Sequence, residues 1–325
     1  MREDLLKELE LEYDQVRFAN EREEQRRREQ IMAEEPEIYA LVRQREELIF
    51  STLRNALRGP ADAGNLAARM KELSAEIRSK LEEKGFSADY LAPVYRCPVC
   101  RDTGRTGDPV KEPCACLKKA YQQKLRGKIG LDSGKNETFE SFDLSVFPEE
   151  KIPGQSFSQR ELMRVHLATC RKWAEEYPDS TYRDLVLTGS TGLGKTFLLH
   201  AMADRLIERD INVLLISAYR MLEVLRKSYF ENDQGSSELL DADVLMIDDL
   251  GSEPLMQNVT VEQLFNLLNE RQNRNLSTVI STNLDMAKFR ERYTERVASR
   301  LRDSRCCKVM NLIGRDIRVG GNLKA

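Results

Sequence analysis

Histidine is nearly absent from this chain: His166 and His200 are the only two in 325 residues. Neither stands near a nucleophile or a metal-ligand pair, which excludes histidine acid–base chemistry. Long apolar runs are missing too, and a membrane span needs about 20 such residues. The opening Met1-Arg2-Glu3-Asp4 begins a charged helix and lacks an apolar signal core. Net charge is only −3, so bulk electrostatics does not make a polyanion binder. Together these absences predict a soluble, cytoplasmic protein with no membrane partner. Hydrophobic residues at 41% supply a core, and the length allows two or three folding units.

Charge is unevenly spread. Residues 88–135 hold ten Lys and Arg against five Asp and Glu, whereas the flanking segments are slightly acidic. Four of the seven cysteines also fall in that middle stretch, as Cys97-Pro98-Val99-Cys100 and Cys114-Ala115-Cys116. In a reducing compartment such clustering favours a metal over disulfides or a redox pair. One C-x-x-C turn and one C-x-C turn supply four thiolates for tetrahedral Zn²⁺. With no histidine or carboxylate in the set, the site reads as structural. Arg96, Arg101, Arg105, Lys111, Lys118, Lys119, Lys124, Arg126 and Lys128 surround it, with Tyr95 and Tyr121 interleaved. They form either a nucleic-acid surface or a solvated face. Cys170, Cys306 and Cys307 read as buried spectators, and Trp173 as packing for a helix ahead of the first core strand.

Residues 1–87 read as a helical arm, a hairpin or coiled coil. Leu5, Leu9 and Val16 share a face with Tyr13 and Leu6 nearby, and residues 21–30 are almost all charged. A second stripe runs Ile38, Leu41, Val42, Leu48, Ile49, Leu53, Leu57. Gly59-Pro60 and Gly64 interrupt it. A third runs Leu66, Met70, Leu73, Ile77, Leu81, with Gly85 as the C-cap. The arm is either purely structural or a docking module, and stripes this narrow favour docking.

The densest chemistry lies at Gly189-Ser190-Thr191-Gly192-Leu193-Gly194-Lys195-Thr196, which fits G-x-x-x-x-G-K-[ST]. An apolar strand, residues 184–188, precedes it and a helical pattern, residues 197–208, follows. In that context glycine-loop N–H groups and a helix N-terminus cradle phosphates. Lys195 is expected to reach the β- and γ-phosphates, and the Thr196 hydroxyl to ligate Mg²⁺. Further strands are expected at 211–217, 243–249 and 278–283. The strand at 243–249 ends in Asp248 and Asp249, and that at 278–283 in Asn283. Asp248 suits Mg²⁺ binding through water, Asp249 suits the activating base, and Asn283 suits orienting the attacking water. Arg296 and Arg300, four apart on one helix face, suit a finger reaching a neighbouring subunit's γ-phosphate. Arg318 adds a cation toward the nucleotide of its own subunit. The fold is thus read as α/β, a parallel sheet flanked by helices. The segments are 1–87, a Cys₄ module at 88–125, a linker at 126–154 and an ATPase domain at 155–325.

Residues 138–320 resemble the AAA+ ATPases of the helicase-loader group, DnaC/DnaI-type proteins and their IstB-like transposition relatives. The motifs are Thr138-Phe139-Glu140-Ser141-Phe142-Asp143-Leu144, the phosphate loop, Ile247-Asp248-Asp249-Leu250-Gly251-Ser252-Glu253-Pro254, Ser281-Thr282-Asn283 and the Arg296/Arg300 pair. The stretch from Tyr90 to Lys118 also resembles the zinc-binding segment of some loaders. The resemblance implies ATP as ligand, Asn283 as sensor 1, Arg296 or Arg300 as the finger and Arg318 as sensor 2. It further implies a replicative DNA helicase as partner, self-association through the ATPase domain, and single-stranded DNA contacts at Tyr219, Arg220, Arg226 and Lys227. Asp249 stands where the wider family carries Glu, one methylene longer, which implies slow, regulatory hydrolysis. Few residues follow Arg318, which implies no full helical lid. The other two readings are a transposition helper that binds duplex DNA and stimulates a transposase, and a zinc-stabilised adaptor without a working ATPase.

Overall fold

The computed structural model describes residues 2–56, 63–131, 137–231, 236–255 and 260–320. Gly59 and Pro60, expected to interrupt the arm, lie outside the described residues, as does Leu57. So do residues 132–136 of the expected linker. The chain divides into two compact units, Leu6–Leu117 and Met1–Leu5 with Lys118–Ala325. The arm and the cysteine segment, expected as separate pieces meeting at 87/88, therefore share one unit.

In that first unit, α1 (Arg2–Glu34) runs unbroken through the charged stretch 21–30. Helix α2 (Pro36–Ala56) starts on proline, whose fixed φ suits a first helical turn and whose missing N–H costs nothing there. Helix α3 (Ala63–Glu83) ends as expected. Gly85 takes a left-handed φ of 81°, and Phe86 N donates to Leu81 O at 2.9 Å. Ile31, Ile38, Val42, Ile77 and Leu81 make the apolar core of this bundle. A two-residue hairpin, β1 (Arg105–Thr106) and β2 (Glu112–Pro113), separates the cysteine pairs. Helix α4 (Ala115–Lys128) begins at the second pair.

The second unit is built on a five-stranded sheet. Its strands are β3 (Asp184–Thr188), β4 (Val213–Ser217), β5 (Val244–Leu250), β6 (Ser277–Thr282) and β7 (Cys307–Asn311), in the order β4-β5-β6-β3-β7. Every pairing is parallel. Parallel strands bury both faces, and the apolar runs divide accordingly. Leu185, Leu187, Val244 and Met246 face one cluster, filled by α5 (Gln159–Glu176) and α6 (Lys195–Glu208). Val186, Leu245, Ile247 and Ile280 face the other. There α7 (Ala218–Glu231), α8 (Ser236–Asp241), α9 (Thr260–Asn273) and α10 (Met286–Leu301) pack. Strand β7 had no counterpart in the reading of the sequence, where Cys307 stood only as a buried thiol. It is an edge strand, half-covered, so its apolar run is too short to stand out. Cys170 and Cys307 are buried as expected, but Cys306, one residue ahead of the strand, is partly exposed.

Arg271 on α9 is fully buried beneath the sheet. It donates to Leu239 O, Ala242 O, Asp243 O, Ser277 O and the Thr278 hydroxyl, joining α8 to the starts of β5 and β6. Burial pulls its pKa down to about 10, which still leaves it charged at neutral pH. Arg271→Leu removes the buried donor these acceptors share, although Asp243 O still accepts from Ser277 N and Tyr177 OH. It is expected to cost on the order of 3 kcal/mol, read as a lower midpoint of denaturation, with no direct effect on the sheet's opposite end.

Candidate nucleotide site and cysteine cluster

The chemistry collects at the C-terminal ends of the strands, where parallel α/β sheets bind ligands. Between β3 and α6 the loop turns on Gly189, Gly192 and Gly194, with φ of 146°, 75° and 82°. A side chain at Gly189 has no room, because a Cβ there meets Leu312 O at 2.3 Å. One at Gly192 meets the Asp316 carboxylate at 1.7 Å. Ser190, Thr191 and Leu193 complete the loop, with Leu193 buried beneath it.

Lys195 opens α6 and is 7% exposed. Its Nζ donates to Gly189 O, Ser190 O and Asn283 Oδ1, each at 2.7 Å. Burial lowers its pKa, while Asp249 and Asp248 pull the other way. The Thr196 hydroxyl lies 3.2 and 3.1 Å from the two oxygens of Asp248. That carboxylate also accepts from Ser281 Oγ at 2.5 Å. Asp249 sits at a bulge where the β5–β6 register shifts between Ile247 and Leu250, and its φ of 57° is left-handed. Its backbone N–H donates to Ser281 Oγ at 2.8 Å, and its carboxylate accepts from Asn283 Nδ2. Lys195, Thr196, Asp248, Asp249 and Asn283 are thus one hydrogen-bonded group drawn from the start of α6 and the C-terminal ends of β5 and β6.

The remaining residues lie differently. Arg318 forks onto Asp316 at 3.1 and 3.0 Å, and this ion pair lowers the pKa of the Asp316 carboxylate. Ile317 N donates to Gly192 O at 3.1 Å, so the Arg318 segment lies against the phosphate loop. Arg296 and Arg300 do not join the group. Their guanidiniums sit over the Phe265 ring of α9, at 4.4 and 5.4 Å from its centre. The helix that carries them is broken at Thr294, with φ of 71°. The sequence alone gives Ser281 and Asp316 no role of their own. Ser281 becomes legible only once β5 and β6 are known to be neighbours, and Asp316 only once β7 returns the chain to the loop.

The sulphurs of Cys97, Cys100, Cys114 and Cys116 lie within 4.8 Å of one another. Cys97–Cys114 and Cys100–Cys116 are 3.9 and 3.4 Å apart, far beyond a disulfide bond. Tetrahedral Zn–S bonds of about 2.3 Å place sulphurs about 3.8 Å apart, so the cluster fits that ion. Backbone N–H groups, Cys100's first, hold the Cys97 thiol down to about 7, whereas burial pushes Cys116 up to about 12. A central cation offsets that burial penalty. Asp102, fully buried with a left-handed φ of 57°, accepts from Cys97 N at 2.7 Å, Arg96 N at 2.8 Å and Asn20 Nδ2 at 2.8 Å. Arg17 donates to Asp102 O, and Tyr13 OH to Cys116 Sγ at 3.2 Å. Tyr13, Arg17, Asn20 and Glu24 form one stripe of α1 on which the cysteine segment lies; Glu24 accepts from Val94 N. This stripe explains a charged helix that bears so few apolar residues. The basic residues nearby are in part engaged within the chain. Arg96 covers the Tyr13 ring, Arg105 pairs with Glu10, Lys118 with Asp210, and Arg126 with Asp204. That pairing favours the solvated-face reading for those four.

A glycine loop leaving a central strand of a parallel sheet, faced by Asp248 and Asn283 from the next two strands, defines an AAA+ P-loop ATPase. Comparison with known proteins agrees. Residues 155–318 match the family described as IstB-like ATP binding protein, and the chain belongs to that family. It is 25% identical over 257 residues to the replicative helicase loader DnaI of Bacillus subtilis (strain 168), covering 71% of this chain and 78% of that protein. It is 34% identical over 166 residues to the chromosomal replication initiator protein DnaA of Ruegeria sp. (strain TM1040), covering 49% of this chain but only 34% of that one. A crystal structure of DnaI superposes with a TM-score of 0.45 at 22% identity, covering 61% of this chain and 99% of that chain. Among the described residues no helix is long and apolar enough to cross a membrane.

Lys195→Ala is expected to weaken binding of a fluorescent ATP analogue by at least about tenfold, since a charge-assisted phosphate contact contributes roughly 1.5–3 kcal/mol. The purified chain is expected to carry about one Zn²⁺ by elemental analysis, and Cys100→Ser to lose it together with the fold of Leu6–Leu117.

Proposed function

We propose that this protein is an ATP-dependent loader of a replicative DNA helicase, acting at the initiation of DNA replication in the cytoplasm. The observation that carries the nucleic-acid side of the reading is the outer face of α7. Tyr219, Arg220, Arg226 and Lys227 are all exposed there, while Met221, Leu222 and Leu225 are buried, Met221 and Leu225 in the cluster beneath the sheet. An aromatic ring among three cations is the chemistry that stacks a base and tracks a single strand. The likeness to DnaI supports the helicase side. At 71% of the chain it is longer than residues 155–325 alone, so it reaches into the upstream segments.

In this reading Gly189 to Thr196 hold ATP, and Thr196 with Asp248 hold Mg²⁺. Asp249 and Asn283 orient the attacking water, and Arg318 approaches the phosphates of its own subunit. Arg296, exposed on α10, or Arg300 beside it reaches the nucleotide of a neighbouring copy and favours self-association. Magnesium supplies charge neutralisation along the phosphates. Zinc, held by Cys97, Cys100, Cys114 and Cys116, fixes the unit that grips the helicase. The short Asp249 side chain, already held by Asn283, suits slow hydrolysis that times release.

The full chain is tested against a replicative helicase with ATP, ADP or no nucleotide, with and without single-stranded DNA. ATP-dependent retention is expected, and Tyr219→Ala with Arg226→Ala is expected to weaken single-strand binding about tenfold or more. Indifference to helicase with strong binding to duplex DNA sinks the loader reading in favour of a transposition helper.

A further inference from the structure

Glu253 has no part in the chemistry above, yet its carboxylate is 1% exposed. A buried carboxylate persists only when hydrogen bonds and opposite charge replace its water. Its partners come from two places. Gly251 N, in the turn that follows Asp249, donates to Oε2 at 2.8 Å. The Tyr293 hydroxyl, itself fully buried on α10, donates to Oε1. Arg292 lies 3.9 Å from the same oxygen and donates to the Glu253 carbonyl. Its Nε, buried beside them, has no hydrogen-bond partner.

The turn that delivers Glu253 is itself tied to Asp249. Ser252 N and Ser252 Oγ both donate to Asp249 O, at 3.2 and 2.8 Å. Gly251, at φ of 113°, is pressed on Leu284, a Cβ there lying 2.8 Å from Leu284 Cδ1. On the other side, α10 breaks one residue after Tyr293 and resumes into the turn that holds Arg296 and Arg300. A continuous chain of contacts therefore runs from Asn283 and Asp249 through Glu253 to Tyr293 and the break.

We propose that Glu253 is a positioning residue that couples the Asp248–Asp249 end of β5 to the arginine-bearing half of α10. Occupancy of the phosphate loop then sets the pose of Arg296 and Arg300. The consequence for a neighbouring subunit rests on the trans-arginine reading above; the coupling within one chain does not. The coupling is measured directly.

Hydrogen exchange over residues 294–301 is followed in dilute, unassembled protein with and without a non-hydrolysable ATP analogue. The analogue is expected to change exchange there in the parent, and Glu253→Gln and Tyr293→Phe to abolish that change with analogue affinity kept within about twofold. Tyr293→Phe removes one oxygen only, so it reports even where Glu253→Gln fails to fold. The protein concentration giving half-maximal hydrolysis is expected to rise about tenfold in either variant, the scale of an ordinary coupling energy. A change in exchange that persists in Tyr293→Phe overturns the proposal. If exchange is uncoupled as expected but Arg296→Ala with Arg300→Ala leaves the concentration dependence untouched, the trans-arginine reading fails and the coupling stands.

Discussion

Hiding the ammonium of Lys195 is the constraint on which the rest of the ATPase unit depends. A cation taken from water needs oxygens placed around it before folding gains anything. Two come from the loop, Gly189 O and Ser190 O, and the third from Asn283 at the tip of β6. The first two require glycine backbone angles. The third requires β3 and β6 to be neighbours in a register that pairs Thr188 with Thr282. Strand order, glycine placement and the polar ends of the strands thus follow from one electrostatic demand. The same neutral oxygens are weaker partners than a triphosphate, so the lysine is held in place by contacts that phosphate oxygens outcompete.

Some of this was legible from the residues, because it rests on local rules. The glycine loop, the strand ahead of it and the helix behind it follow from spacing. The strands around Ile216, Ile247 and Ile280 follow from apolar runs ending in polar residues. The placement of Lys195, Thr196, Asp248, Asp249 and Asn283 in one group needed only a parallel sheet. What escaped was non-local. Strand β7 is an edge, where half-exposure dilutes the apolar signal. Ser281 gains its meaning from strand adjacency, and Glu253 from a tyrosine forty positions away. Arg296 and Arg300 share a face as their spacing indicates, but their lodging over Phe265 depends on how α9 and α10 pack.

The helical arm teaches a different lesson. Residues 21–30 carry too much charge to read as an interface, since apolar periodicity is the usual signal. Here the interface is polar. Asn20, Glu24 and Arg27 hydrogen-bond to main-chain and buried groups of residues 90–102. Four thiols, only those of Cys100 and Cys114 buried, supply little apolar area, so the segment is anchored by hydrogen bonds and by Asp102 in place of a hydrophobic core.

The shared carboxylate of Asp102 has an implication for how such arms can be exchanged among relatives. Because one side chain satisfies the knuckle backbone and α1 together, no cut between residue 87 and Cys97 separates two self-sufficient pieces. Recombination within that interval leaves the buried acid on one parent and its α1 donor, Asn20, on the other. The natural cassette for grafting, in evolution or at the bench, is accordingly the whole of Leu6–Leu117.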